Sequence, residues 1–276
     1  MKWLKKNGLT LFFVIVLIVG VGIFLYPTVS AWYNSFHESR VIEGYNSALG
    51  AMKKEDFEKY WEAADKYNDK LAMMSTNFNL SDSDMAEYKK LLDPTNTGVM
   101  GYIVIPSINL NCPVYHGTDE ATLAVGIGHL AGSSLPTGGE NTHTVLSGHR
   151  GLPSATLFTN LDRLTIGDTF ELHIMDRTIT YQVDRILTVL PEETDSLAIT
   201  QGQEYCTLVT CTPYGINTHR LLVRGHKVEN GKTERKYISA DAQPVDPVAV
   251  AAVIAAIIIV LLVTRQLVVN AIRRRR

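Results

Sequence analysis

Two stretches of this chain run without a single charge. Residues 9–26 (LTLFFVIVLIVGVGIFLY) cover 18 positions and residues 248–264 (VAVAAVIAAIIIVLLVT) cover 17. A helix needs about 20 apolar residues to cross a bilayer, and somewhat fewer suffice when flanking cations snorkel to the headgroups. The first stretch has Trp3 and Tyr26 where interfacial aromatics sit. Its rival reading is a cleaved signal peptide, whose apolar core spans about 7–15 residues before a small-residue cleavage site. Pro27-Thr28-Val29-Ser30-Ala31 matches such a site weakly, and the unbroken apolar run favours an uncleaved anchor. The second stretch is extended by Arg265, which can reach the interface, and 267–272 can lie in it. A buried core helix fits it poorly, since every face is apolar and four arginines follow at 273–276. The pattern predicts membrane helices at 9–26 and 248–265, with short ends at 1–8 and 266–276.

Between them the periodicity changes twice. In residues 31–92, two groups, Tyr45, Ala48 and Met52 and then Phe57, Tyr60, Trp61 and Ala64, recur at three- and four-residue steps among Glu, Lys and Asp. Ser81-Asp82-Ser83-Asp84 offers caps for a short helix over 85–92. The region 27–97 therefore reads as helical, an amphipathic stalk or cap. From 98 to 229 the texture is of short runs rich in Val, Ile, Thr and Tyr: 101–106, 112–115, 144–147, 169–174, 178–189, 205–211 and 221–228, punctuated by Gly, Pro and Asn. Many short strands at close spacing predict a mainly β fold, a barrel or sandwich of about 130 residues. Residues 230–247 read as a linker returning to the membrane.

Charge separates along the same boundaries. The ends carry only cations, three Lys before residue 27 and five Arg after 247, so they hold +8 and the middle holds −10 of the chain's net −2. The positive-inside rule puts both ends in the cytoplasm and the acidic middle outside, a two-pass protein whose partner is a lipid bilayer. A middle at −10 excludes nucleic acid as a partner.

The outer part holds three cysteines, Cys112, Cys206 and Cys211. Cys206 lies within a strand pattern and Cys112 at a strand edge, where a small buried thiol is the expected role, with a Cys112–Cys206 disulfide as the alternative. Cys211 differs, because it ends the run TLVTC before the turn Thr212-Pro213-Tyr214-Gly215. A reactive thiolate needs positive charge nearby. His149, His219, Arg220 and Arg224 are in reach of the pattern, though eight His and three Cys allow many pairings. His116, His129, His143 and His149 are spaced 13, 14 and 6 apart, which matches no compact zinc pattern. Strand alternation turns His219 away from the face of Arg220 and puts Arg224 on that face. Asp119, Glu120, Asp162 and Asp168 sit in turn-like contexts and read as caps or solvated acids. No metal or cofactor is implied.

The stretch TLVTCTPYGINTHRLLVRG (207–225) resembles the active-site signature of sortases, and LSGHRGLP (146–153) resembles their histidine motif. The blocks YHGTDEATLAVGIGHLAGSSLPTGGENTHTVLSGHRGLP and LFTNLDRLTIGDTF are similar to the class C, pilin-polymerising branch, as is the layout with two anchors. The resemblance covers roughly 98–228 and implies a sortase-like closed β-barrel, preceded by a helical segment and flanked by two transmembrane helices. It also implies a membrane-anchored cysteine transpeptidase with Cys211 as nucleophile, His149 as general acid/base and Arg220 as the catalytic arginine. The implied reaction cleaves an LPxTG-like signal between Thr and Gly and joins it to a lysine amine of a pilin subunit. A housekeeping sortase acting on a cell-wall precursor and a non-catalytic surface scaffold are the alternatives. Class C relatives carry an Asp-Pro-aromatic lid; Asp93-Pro94-Thr95 stands where it is expected, with Thr95 in place of the aromatic. The expectation is that Asp93 pairs with Arg220 and gates the site.

Overall fold

The computed structural model describes residues 2–74, 78–229 and Arg265. The linker 230–247, the second apolar segment and the basic tail predicted above lie outside the described residues, Arg265 apart.

The N-terminal apolar run is part of α1 (Lys2–Gly50), which continues helically through Pro27. Phe12, Phe13, Ile18, Ile23 and Phe24 are all exposed on it. Among the described residues this is the one helix long and apolar enough to cross a membrane.

The described residues from 34 to 229 belong to a compact unit of their own. Its framework is a closed barrel of eight strands: β1 (Val99–Ile105), β2 (Leu110–His116), β3 (Ile127–His129), β4 (Thr142–Ser147), β5 (Thr169–Ile174), β6 (Arg177–Val189), β7 (Glu204–Thr212) and β8 (His219–Val228). The order around the barrel is β1-β2-β3-β4-β7-β8-β6-β5. β2–β3 and β4–β7 are parallel and the other pairings antiparallel. Closure removes every sheet edge. Alternation sends Ile103, Ile105, Val114, Leu172, Phe170, Tyr181, Leu208 and Val223 into the barrel, where all are buried. Cys112 and Cys206 join them as free thiols, so no disulfide forms, and burial pushes both well above the usual thiol range. They are core residues, as expected.

The predicted strands are present, with one addition: the three-residue β3 wedged between β2 and β4. The acidic turn at 119–120 is the start of a short helix, α4 (Glu120–Val125), whose N-cap Asp119 accepts from the Thr122 amide.

The helical region is a layer packed on the barrel. The end of α1 buries Ile42, Tyr45 and Leu49; α2 (Lys54–Ala72) buries Trp61, Ala64 and Tyr67; α3 (Asp82–Tyr88), capped by Ser81, buries Tyr88. Polar bonds fix the docking. The Tyr45 hydroxyl donates to the Met100 carbonyl at 2.7 Å and accepts from the Met175 amide at 2.9 Å. The Trp61 indole donates to Asp176 at 2.8 Å beneath the Arg177 guanidinium. Asn68 exchanges two bonds with the backbone of Leu135 and donates a third to the Thr137 hydroxyl at 3.0 Å. Near the start of this layer Asn34 donates to the Ser154 carbonyl. Glu38 is 9% exposed, and burial lifts its carboxyl to about 7.

Candidate functional site

Strand direction decides what meets at each end of the barrel. β4 and β7 run in parallel, and β8 returns antiparallel beside β7. The end of β4, the end of β7 and the start of β8 therefore converge. On β7, Cys206 and Leu208 point inward and are fully buried, so Thr207, Val209 and Cys211 face outward. Cys211 is directly opposite Arg220 in the antiparallel register. Opposed residues of such a pair carry their side chains on the same face, with Cβ atoms about 4.5–5.5 Å apart. On the other side of β7, Ser147 is opposite Val209, and the ladder continues as the Gly148 amide donates to the Val209 carbonyl at 3.0 Å. His149 lies two residues beyond Ser147, the last residue of β4, as Cys211 lies two beyond Val209, so the chain leaving β4 carries His149 to the same end of the barrel as Cys211. Cys211 and Arg220 are thus paired on adjacent strands, and His149 stands in the turn after β4 at the same end of the barrel.

Local sequence explains the convergence. Gly148 has no room for a side chain: a Cβ there would come within 2.7 Å of both Ile127 Cδ1 and Phe158 Cδ2. The Thr210 hydroxyl donates to the Gly148 carbonyl at 2.7 Å, tying the two strand ends together. Arg220 donates from Nη1 to the Asn217 and His219 carbonyls at 3.3 and 3.1 Å. Among the described residues no carboxylate lies within ion-pair distance of it, and its other N–H groups are available to an oxygen placed above Cys211.

The other candidates separate cleanly. Arg224 faces the same way but is opposite Thr207, and its guanidinium is held by both oxygens of Asp184 at 2.9 and 3.0 Å and stacked on Tyr205. His219 is opposite Thr212 and shares a bond with Thr218. His129 donates through Nε2 to the Ser134 carbonyl, and burial lowers it to about 4, leaving a neutral ring bonded to the Tyr88 hydroxyl. His143, also lowered by burial, lies between the Ala198 carbonyl and the Thr207 hydroxyl. Both nitrogens of His116 face backbone carbonyls, of Gly98 and Leu91. These rings are structural pins. Asp168 caps the turn that begins at Thr165.

The expected lid is displaced. β1 and β7 run in the same direction, as the alternation of pairings around the barrel requires. Asp93-Pro94-Thr95 enters β1 and so lies at the end where β7 begins, whereas Cys211 is where β7 finishes. Asp93 does not reach Arg220; its carboxylate accepts from the Thr97 and Gly98 amides at 3.1 and 3.0 Å and from the Thr95 hydroxyl. It is an ordinary turn-forming Asp-Pro.

One aromatic that the sequence reading passed over packs on the outer face of the barrel. Outward residues of β4 (Val145), β7 (Val209), β8 (Leu222) and β6 (Leu187, Val189) form an apolar cluster with Leu197 of the 3-10 turn Asp195–Leu197 and Leu130, which follows β3; Val145, Leu197 and Leu222 are buried in it. Phe78, from the segment between α2 and α3, packs onto this cluster. A lone aromatic in a polar loop, NFNLSDSD, was the available signal. Phe78→Ala is expected to speed alkylation of Cys211 by iodoacetamide about 3–10-fold, because losing a half-buried ring lowers the cost of exposing the cluster by about 1 kcal/mol. An unchanged rate would show that Phe78 does not shield the thiol.

Comparison with known proteins gives the family. The family model described as a sortase domain matches residues 103–228. Sortase D of Bacillus subtilis (strain 168) is 31% identical over 149 residues, 53% of this chain and 72% of its own length. The crystal structure of sortase C1 from Streptococcus agalactiae is 48% identical, covers 70% of this chain and 100% of its own, and superposes with a TM-score of 0.68. That of Streptococcus pneumoniae sortase C, described as informing catalysis and pilin substrate specificity, is 41% identical, covers 69% and 97%, and has a TM-score of 0.60. With sortase D as a relative over most of its length and class C sortases as structural neighbours, the chain belongs to the sortase family of cysteine transpeptidases.

Proposed function

We propose that this sortase polymerises pilins, with Cys211, His149 and Arg220 as its catalytic residues. The observation that carries the reading is the register pair Cys211–Arg220 at one end of an apolar cluster on the outer face of the barrel. An extended peptide laid along that cluster would place its leucine and proline on the Val145–Leu222 strip and its threonine carbonyl at the sulfur. The Cys211 thiolate attacks that carbonyl, and Arg220 stabilises the oxyanion through the N–H donors its two backbone bonds leave free. His149, as imidazolium, protonates the departing glycine amine as the C–N bond breaks, leaving a thioester. The ε-amine of a lysine on the next pilin then attacks the thioester, giving its proton to His149; the C–S bond breaks, the Cys211 thiolate and the imidazolium are regenerated and an isopeptide bond forms.

The class C neighbours, one of them described in terms of pilin specificity, support a pilin as both donor and acceptor. The apolar helix of α1 supports attachment to a membrane. A second span at 248–265, with both termini cytoplasmic and the barrel outside, completes the proposed topology.

The test is to incubate the protein with an LPxTG peptide and two acceptors, a pilin domain bearing lysines and an oligoglycine amine standing in for a cell-wall precursor. Isopeptide product on the pilin, in at least about tenfold excess over the glycine adduct, is the expected result. The reverse preference would make the enzyme a housekeeping sortase, and neither cleavage nor a thioester would make the barrel a scaffold.

A further inference from the structure

Arg150 directly follows His149, and its side chain is 9% exposed. Its Nη2 donates to the Asp162 carboxylate, its Nη1 donates to the Thr212 hydroxyl at 3.3 Å, and the Tyr214 ring lies 5.8 Å from its Cζ. Thr212 is the residue after Cys211, and Tyr214 is in the loop that follows. The neighbouring backbone is locked to the same partners. Gly151 has φ +76° and lies so close to Tyr214 that a Cβ would come within 2.9 Å of its ring. Its amide donates to the Thr159 hydroxyl at 3.0 Å. Thr159 and Asp162 both belong to the 3-10 segment Leu157–Arg163. One buried cation therefore joins the turn that carries His149, a brace from the following segment, and the strand end that carries Cys211. Arg150 Nε is buried without an acceptor. Desolvating a donor unpaired opposes folding, so stability alone does not account for this guanidinium.

We infer that Arg150 is a positioning residue for the transpeptidation: it fixes the separation and orientation of the His149 imidazole relative to the Cys211 sulfur. Thr212 is the contact through which it acts and Asp162 the anchor that holds it in line. The inference rests on the assignment of Cys211 and His149 as the reacting pair. Small displacements of such a pair are costly, since about 1 Å of misplacement loses about 100-fold in rate.

Steady-state kinetics with an LPxTG peptide, and the pH profile of iodoacetamide alkylation at Cys211, test it on the full chain. Arg150→Gln is expected to lower kcat about 10–100-fold with KM within about twofold, and to move the alkylation profile. Arg150→Lys, which cannot span Asp162 and Thr212 together, is expected to recover only part of kcat. Should Arg150→Gln fail to fold, Thr212→Val removes only the receiving hydroxyl and is expected to lower kcat several-fold with the same shift in profile. An unchanged kcat and profile, or a raised KM at constant kcat, overturns the positioning role. Failure of the underlying assignment is distinguishable: Cys211→Ala would then still cleave, or His149→Ala would leave the alkylation profile as in the parent.

Discussion

Cys211→Ala is expected to abolish cleavage of a sorting peptide, lowering kcat at least about 10⁴-fold, and to remove the thioester adduct from the mass spectrum. No other group in the neighbourhood can replace it. Ser147 and Thr212 lie nearby, but a neutral hydroxyl at neutral pH is a far weaker nucleophile than a thiolate. The loss would be chemical and not structural. Cys211 is half-buried on the outer face, whereas Cys112 and Cys206 are fully buried in the barrel. The control is therefore Cys206→Ala: a small cavity opposite Gly225 and a lower Tm, with peptide cleavage retained. If Cys211→Ala cleaved at a rate near that of the parent, the outward face of β7 would not be the reacting surface.

The same contrast between inward and outward cysteines shows what could be read from residues alone. Alternation in TLVTC, and the turn after it, carry both the burial of Cys206 and the exposure of Cys211, because side-chain direction in a strand is a local property. The strands with at least six residues were legible for that reason. β3 was not: Ile127-Gly128-His129 is too short to show a period and contains a glycine, and it exists because β2 and β4 lie on either side of it. Contacts made across the chain were equally hidden. Tyr45 bonds to Met175, 130 positions away, and nothing local marks the hydroxyl as a pin between α1 and the barrel. The lid was misplaced by the opposite error, a local signal read as a long-range one. Asp93-Pro94 is a complete turn motif that satisfies its own carboxylate, and only the direction of β1 shows that it enters the barrel far from Cys211. Phe78 carried no motif, and its role follows from the apolar cluster it packs on.

Two arginines on one face of β8 provide the sharper experiment. Arg220→Ala is expected to reduce kcat/KM about 10²–10³-fold, the range found when a single oxyanion donor is removed, with most of the loss in kcat. Arg220→Lys keeps the charge but presents a point donor in place of a planar fork, so only part of the rate is expected to return. Arg224→Ala is the matched comparison. Arg224 is four residues further along β8, about 13 Å at 3.3 Å per residue, and its fork is already filled by Asp184. Its removal is expected to leave kcat within about threefold of the parent and to act on stability, through the unpaired Asp184 and the uncovered Tyr205 ring. The two substitutions delete the same side chain from the same strand face, so a general electrostatic contribution to that face would make them similar. A large loss at position 220 with near-normal turnover at 224 means that what matters is a free guanidinium fork opposite the sulfur; a larger loss at 224 would move the oxyanion site along β8 and away from Cys211.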